Sequence, residues 1–259
     1  MGFIQLIRNE IMKVNARRTA PYFYIFMAVV AIGSAIILKF IGPSKGINMD
    51  YISFIQMSMM WTSSVIGMFT MVLGAQIFTD EWKEGTIKQL LIRPWNRSSI
   101  LFSKYIAVIF FLLVSYIFAF AFSSVLGVAF FGTKVTSEYT MLILIKKVLY
   151  SIPKDIFYLT LAFSLAAIFK GIGIALSTAI IANSLSMPIM MLSSNHWWTK
   201  YIIFGNLNLE VYDANPLISN NAPKFFDGGT LGFSLTITII HIVALVIISN
   251  LIFAKKDVV

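Results

Sequence analysis

Six long apolar runs separated by polar stretches set the pattern of this chain: Pro21 to Ile41, Phe54 to Phe78, Ser99 to Phe131, Ile152 to Phe169, Ile172 to Leu192 and Leu231 to Ala254. A helix crossing a hydrocarbon core of roughly 30 Å needs about 20 mostly apolar residues, so the pattern predicts six transmembrane helices. The fourth run is the least clean, because Lys146, Lys147, Pro153, Lys154 and Asp155 crowd its start. The third is longer than a bilayer requires, which predicts a tilted helix or one that projects into water. No tandem repeat or low-complexity linker divides the chain, so residues 1–259 are expected to form a single all-α membrane domain.

Ahead of the first run, Phe3, Ile4, Ile7, Ile11 and Val14 recur at helical spacing, with Arg8, Asn9, Lys13 and Arg17 largely on the remaining surface. Residues 1–20 therefore predict an amphipathic helix lying in the membrane interface. The alternative is a frayed basic tail that only enforces orientation. A cleavable signal is not expected: Glu10 interrupts a long basic stretch, and no small-residue cleavage site follows the apolar run.

Composition strengthens the membrane reading. Hydrophobic residues make up 58% of the chain and charged residues only 12%, about half the charged share of an ordinary soluble domain. The net charge of +9 sits beside apolar spans rather than in an aromatic-interleaved patch, which argues for positive-inside topology and against nucleic acid as a partner. With six spans, both termini lie on one side. That side carries Arg8, Lys13, Arg17, Arg18, Lys83, Lys88, Arg93, Arg97, Lys104, Lys170, Lys255 and Lys256; Lys39, Lys45, Lys134, Lys146, Lys147, Lys154, Lys200 and Lys224 are fewer and spread over longer loops. Both termini are expected in the cytoplasm. The chain has no cysteine, which excludes disulfides, thiolate metal sites and cysteine nucleophiles.

The polar stretch 79–98 between the second and third runs is where such a protein can meet something in water. Glu81, Glu84 and Lys88 can share one helical face, and Glu84 precedes Lys88 by the favourable four residues. Pro94 then stops or kinks the helix, and Asn96 and Ser98 offer caps for the next one, which runs through Ile100 and Lys104. By physics alone this is either a docking surface or an ordinary solvated loop whose charges orient the neighbouring spans.

The order Glu81, Gly85-Thr86, Leu90-Leu91, Pro94, Arg97, Ile100, Lys104 resembles the segment that follows the second span in permeases of type 2 ABC exporters, including those that export antibiotics and lantibiotics. The likeness in residues is confined to 77–104; the basic leader and six spans also fit. The resemblance implies that this segment and the leader form a coupling element against an ATPase subunit, with roles for Glu81, Glu84, Gly85, Thr86, Pro94 and Arg97. Glu81 and Glu84 would pair with basic residues of the ATPase, and Gly85 would permit close backbone approach. Arg97 and Lys104 have a second option, pairing with Glu81 or with lipid phosphates. Partners implied are two ATPase copies, a second copy of this permease or a related one, and membrane lipid, in a bacterial cytoplasmic membrane. The chain holds no G-x-x-x-x-G-K-[ST] loop, so it is expected to bind no cofactor itself; ATP and Mg would belong to the partner.

Ion-driven carriers place ionisable groups inside the membrane. Here Lys39, Lys104, Asp155 and Lys170 all fall near predicted span ends, where long side chains can snorkel. That favours an external energy source over a secondary carrier or channel. An intramembrane enzyme is less favoured still, because no H-E-x-x-H occurs and the two histidines lie apart. His241 in the last span and Asn183 in the fifth are expected to make interhelical hydrogen bonds. Gly67, Met68, Met71 and Gly74 in the second span, and Asn183, Met187, Met190 and Met191 in the fifth, are candidates for a helix interface or cargo path, since small residues permit close packing and methionine offers an adaptable apolar surface. The resemblance places these two spans beside the subunit interface. The expected cargo is hydrophobic or amphipathic: a peptide, an antibiotic or a lipid-like compound. The aromatic-rich stretch 193–230 is expected to be an external loop, serving either as an outer gate or as an interfacial belt.

Overall fold

The structure, a computed structural model, describes residues 2–46, 49–85, 96–193, 196–222, 224–226 and 228–255. Among these the chain is all-helical, with no strand. Seven long helices carry it: α1 Phe3–Ala16, α2 Thr19–Phe40, α3 Tyr51–Lys83, α4 Arg97–Phe131, α5 Met141–Phe169, α6 Ile172–Ser193 and α7 Leu231–Lys255. All but α1 are long and apolar enough to cross a membrane. Short helical turns at Trp197–Tyr201, Ile203–Asn206, Leu209–Tyr212 and Pro216–Ser219 fold the stretch between α6 and α7.

The three longest helices, α3, α4 and α5, form the centre, with α3 paired extensively to both of the others. About half of each apolar window in these three is buried, against 11% in α6. The α3 and α5 helices meet closely at two glycines. A side chain at Gly74 would lie 3.3 Å from the Leu159 carbonyl, and one at Gly67 would lie 3.0 Å from Asp155 Oδ1. Both candidates from the second span therefore serve packing of α3 on α5 within this chain.

Two spans run differently from their sequence pattern. Helix α5 begins at Met141 rather than Ile152 and continues through Pro153. Thr140 caps it by accepting from the Ile143 amide, and Ile143 and Leu144 are buried, so packing outweighs the hydrogen bond that proline cannot make. Asp155 consequently stands in the middle of the helix instead of at its end. Helix α3 also extends past Phe78 to Lys83, where Gly85 turns with φ of +67°. Open space surrounds Gly85 on the side where a Cβ would project. Its freedom is used for a left-handed helix stop. Asn96 occupies the cap position of α4, but its side chain makes no capping bond.

Asp50 locks the bundle end away from the termini. Its Oδ1 accepts from the Ser53 amide as the α3 cap. Its Oδ2 accepts from the Thr136 and Ser137 amides and from the Ser137 hydroxyl, at 2.8–3.1 Å. Burial opposes ionisation, but these bonds hold the carboxyl well below the usual carboxylate range.

Candidate functional site

At the end of the bundle that carries the termini, α1 is fastened to the ends of α3 and α4 by a four-residue ion cluster. Glu10 accepts from Lys104 at Oε2, 2.8 Å, and from Lys13 at Oε1, 2.7 Å. Glu81 Oε1 accepts from Lys104 at 2.6 Å and from Lys13 at 2.9 Å. Two ammonium groups thus alternate with two carboxylates and leave no net charge. Lys104 is fully buried, and Glu10 and Glu81 are each about 5% exposed, so these charges are held in a low dielectric where each needs its partners. Burial alone would raise the Glu10 carboxyl; Lys104 and Lys13 overcome it and hold the group below its ordinary value. Lys13 is raised against its own desolvation by Glu10 and Glu81. A crevice of ≈ 30 Å³ opens beside the cluster between α1 and α3, room enough for a water molecule.

A second, exposed layer surrounds this cluster. Arg17 pairs with Asp80 and, at 2.9 Å, with Glu84. Arg97 donates to the Ala254 carbonyl at 3.1 Å, joining α4 to α7. The Lys170 ammonium lies 3.7 Å from the centre of the Trp82 ring, closing the α5–α6 turn onto α3 by a cation–π contact.

The residues expected to couple to a partner therefore divide. Glu81 is engaged inside the chain with Lys104, the second of the two options open in the sequence, and Arg97 reaches a backbone carbonyl. Glu84 is more than half exposed and held by Arg17. Gly85 ends the helix, and Thr86 and Pro94 lie outside the described residues. Glu10 was legible only as an interruption of a basic run. Its signal was a lone acid one helical turn before Val14, on the stripe where Ile11 and Val14 join the core. Phe3 and Ile4, on the predicted apolar face, stay exposed.

Among the candidates for an interface or path, Met71 and Met190 are core residues, while Met68, Met187 and Met191 are exposed on α3 and α6. Two expected interhelical bonds take other forms. His241 Nδ1 lies 2.8 Å from the Ile237 carbonyl of its own helix. Asn183 is exposed and lines a cavity, its side chain making no hydrogen bond among the described residues. His241 is thus satisfied within its own helix, and Asn183 faces a space it shares with Tyr150, Lys154 and Tyr158 of α5.

The middle of the bundle does hold an ionisable group. Asp155 is buried, accepts from the Tyr116 hydroxyl at 2.6 Å, and rests against Gly67. By helical rise these three residues stand roughly 20 Å from Lys170, Lys104 and Glu81 respectively. The expectation of span interiors nearly free of ionisable residues is corrected here, because the early start of α5 carries Asp155 inward.

At the far end, α5, α6 and the turns between α6 and α7 line an open cavity of ≈ 350 Å³. Asp213 ties the turns to α5, accepting from Tyr150 at 2.7 Å and Lys146 at 3.5 Å. Glu210 on the cavity wall has its carboxyl pushed up by burial, against the pull of Lys147 and Lys154.

Comparison with known proteins agrees with the membrane architecture. A family model described as a protein of unknown function (DUF2705) matches residues 18–259. Two similar proteins come from Bacillus subtilis (strain 168). Uncharacterized protein YhcI is 32% identical over 209 residues, 74% of this chain and 64% of the relative. The match thus spans less than two thirds of that relative's length. Uncharacterized membrane protein YdbK is 27% identical over 258 residues, 95% of this chain and 99% of the relative. The chain is a multi-pass membrane protein.

Proposed function

This chain belongs to the DUF2705 family, and we propose that it is the membrane-spanning permease subunit of an ATP-driven exporter of the type 2 ABC kind. The observation that carries the reading is the ion cluster of Glu10, Lys13, Glu81 and Lys104, which joins α1, α3 and α4 near the described ends of α3 and α4. An ATPase pressing on residues 86–95 and on α1 would move these three helices together, because separating them would strand buried charges. The central α3–α5 pair would carry that motion along the bundle, and the exposed faces of α3 and α6 would meet a second permease. The lysine and arginine distribution supports both termini and this end of the bundle lying in the cytoplasm, with α1 at the membrane interface. ATP and Mg would belong to the partner ATPase, and the cargo would be hydrophobic or amphipathic.

The geometry refines the docking surface. Glu81 positions the helices, whereas Asp80, Glu84 and Arg17 form the exposed face available to a partner. Purification of the tagged chain from its native membranes in a mild detergent tests this. An ATPase is expected to co-purify, with Glu84→Lys reducing its recovery and leaving membrane insertion intact. Recovery without any ATPase, with transport that persists when ATP hydrolysis is blocked, would overturn the proposal. Those results would favour a secondary carrier, for which the buried Asp155–Tyr116 pair is the supporting observation.

A further inference from the structure

The cavity at the far end contains two charges of opposite sign that are not paired with each other. Lys154 of α5 and Glu210 of the Leu209–Tyr212 turn both line it. Among the described residues, neither side chain makes a hydrogen bond or an ion pair. Their charged neighbours make their direct contacts elsewhere, Lys146 with Asp213, Lys147 over the Tyr139 ring and Asp155 with Tyr116, so that Lys147 and Lys154 act on Glu210 only through space. The remaining wall combines aromatic rings, Tyr158, Phe204 and Phe225, with the unbonded amide of Asn183. A volume of ≈ 350 Å³ lies in the range of small-molecule sites, and leaving two half-buried charges unpaired costs stability unless a ligand or water satisfies them.

We propose that this cavity binds the zwitterionic head of an amphiphile, with its ammonium group at Glu210 and its anionic phosphate or carboxylate at Lys154. The aromatic rings suit both the ammonium, through cation–π attraction, and the first methylenes behind it. A purely anionic head would face Glu210 and a purely cationic one would face Lys154, so the pair selects for both signs at once. The head can come from a membrane lipid or from a free zwitterion in water. The site does not depend on what powers the protein.

Native mass spectrometry of the purified full chain in a nonionic detergent, with no ATPase present, tests this. The probes are lysophosphatidylethanolamine, lysophosphatidylglycerol, dodecylamine and soluble phosphoethanolamine. Lysophosphatidylethanolamine is expected to bind at least tenfold more tightly than lysophosphatidylglycerol or dodecylamine. Glu210→Gln should reduce its preference over lysophosphatidylglycerol to near one, and Lys154→Gln should weaken both phospholipids together. Binding of soluble phosphoethanolamine at the same site would identify a free zwitterion as sufficient; binding only of the tailed probe would identify a lipid. Equal binding of the three amphiphiles, or a preference unchanged in both variants, would overturn the proposal. Because no ATPase enters the measurement, its outcome is separate from that of the co-purification.

Discussion

The two ends of the bundle use the same residue types in opposite ways. At the end bearing the termini, Lys104 is fully buried between Glu10 and Glu81, each within 2.8 Å. At the other end, Lys154 and Glu210 face one cavity without pairing. Burial accounts for the difference. A dry charge must be neutralised where it stands, which fixes three helices to one another. A charge facing a cavity of ≈ 350 Å³ has room for a ligand or several waters, at the expense of stability. The first pair of charges holds helices together, whereas the second leaves room for the ligand proposed above.

The contrast is broken most severely by Lys104→Met, which leaves two buried carboxylates sharing a site. A loss of about 3–5 kcal/mol is expected, read as a fall in the unfolding midpoint in detergent. Adding Glu10→Gln and Glu81→Gln should restore much of it, and failure of that rescue would show that the cluster is not the cause.

Gly67→Ala tests the junction between the ends. Its new methyl would lie 3.0 Å from Asp155 Oδ1, a carboxylate already bonded to Tyr116, so about 1–3 kcal/mol should be lost to overpacking. Asp155→Ala in the same chain should relieve the clash, making the two effects non-additive in a double-mutant cycle.

The pH dependence of α1 docking follows from the two resolved shifts. Glu10 is depressed in the folded chain, so its contribution is full above its unfolded value of about 4.3 and is lost as pH falls through its lower folded value. Lys13 is raised, so its contribution is full below about 10.4 and is lost as pH rises through its higher folded value. The protection factors of the residue 3–16 amides, corrected for intrinsic exchange at each pH, should therefore stay high from about pH 5 to pH 10 and fall outside that window. Release of α1 near neutral pH would contradict the cluster.

Smaller effects complete the series. Arg17→Ala removes exposed pairs with Asp80 and Glu84 and should shift stability by no more than about 1 kcal/mol. Glu210→Gln should change it by less than about 0.5 kcal/mol while altering amphiphile preference. A large destabilisation by Glu210→Gln would mean that Glu210, like Asp213 beside it, holds the turns in place.

Much of the fold was legible in the sequence, because a membrane span announces itself by length and apolar content. The six apolar helices came from that signal, and the close packing at Gly67 and Gly74 from the small residues there. The start of α5 was not legible. Lys146, Lys147 and Pro153 read as loop, yet Ile143 and Leu144 are buried and extend the helix. The partners of Glu81 were not both legible, since Lys104 is 23 residues away and Lys13 is 68 residues away in the chain. Asp50 gave no signal beyond helix capping, and its bonds to Thr136 and Ser137 depend on a loop far along the sequence.

The sequence by itself determined that this is an all-helical, six-span membrane chain with a charged segment between its second and third spans. Hydrophobic length and helical periodicity are local properties, so no other part of the molecule had to be known. Only the tertiary structure decided which charges are buried and paired, that Asp155 lies at mid-bundle, and that Lys154 and Glu210 share a cavity. The physical reason is that the state of a charge depends on what surrounds it in space. Helices from distant stretches of the chain supply those surroundings.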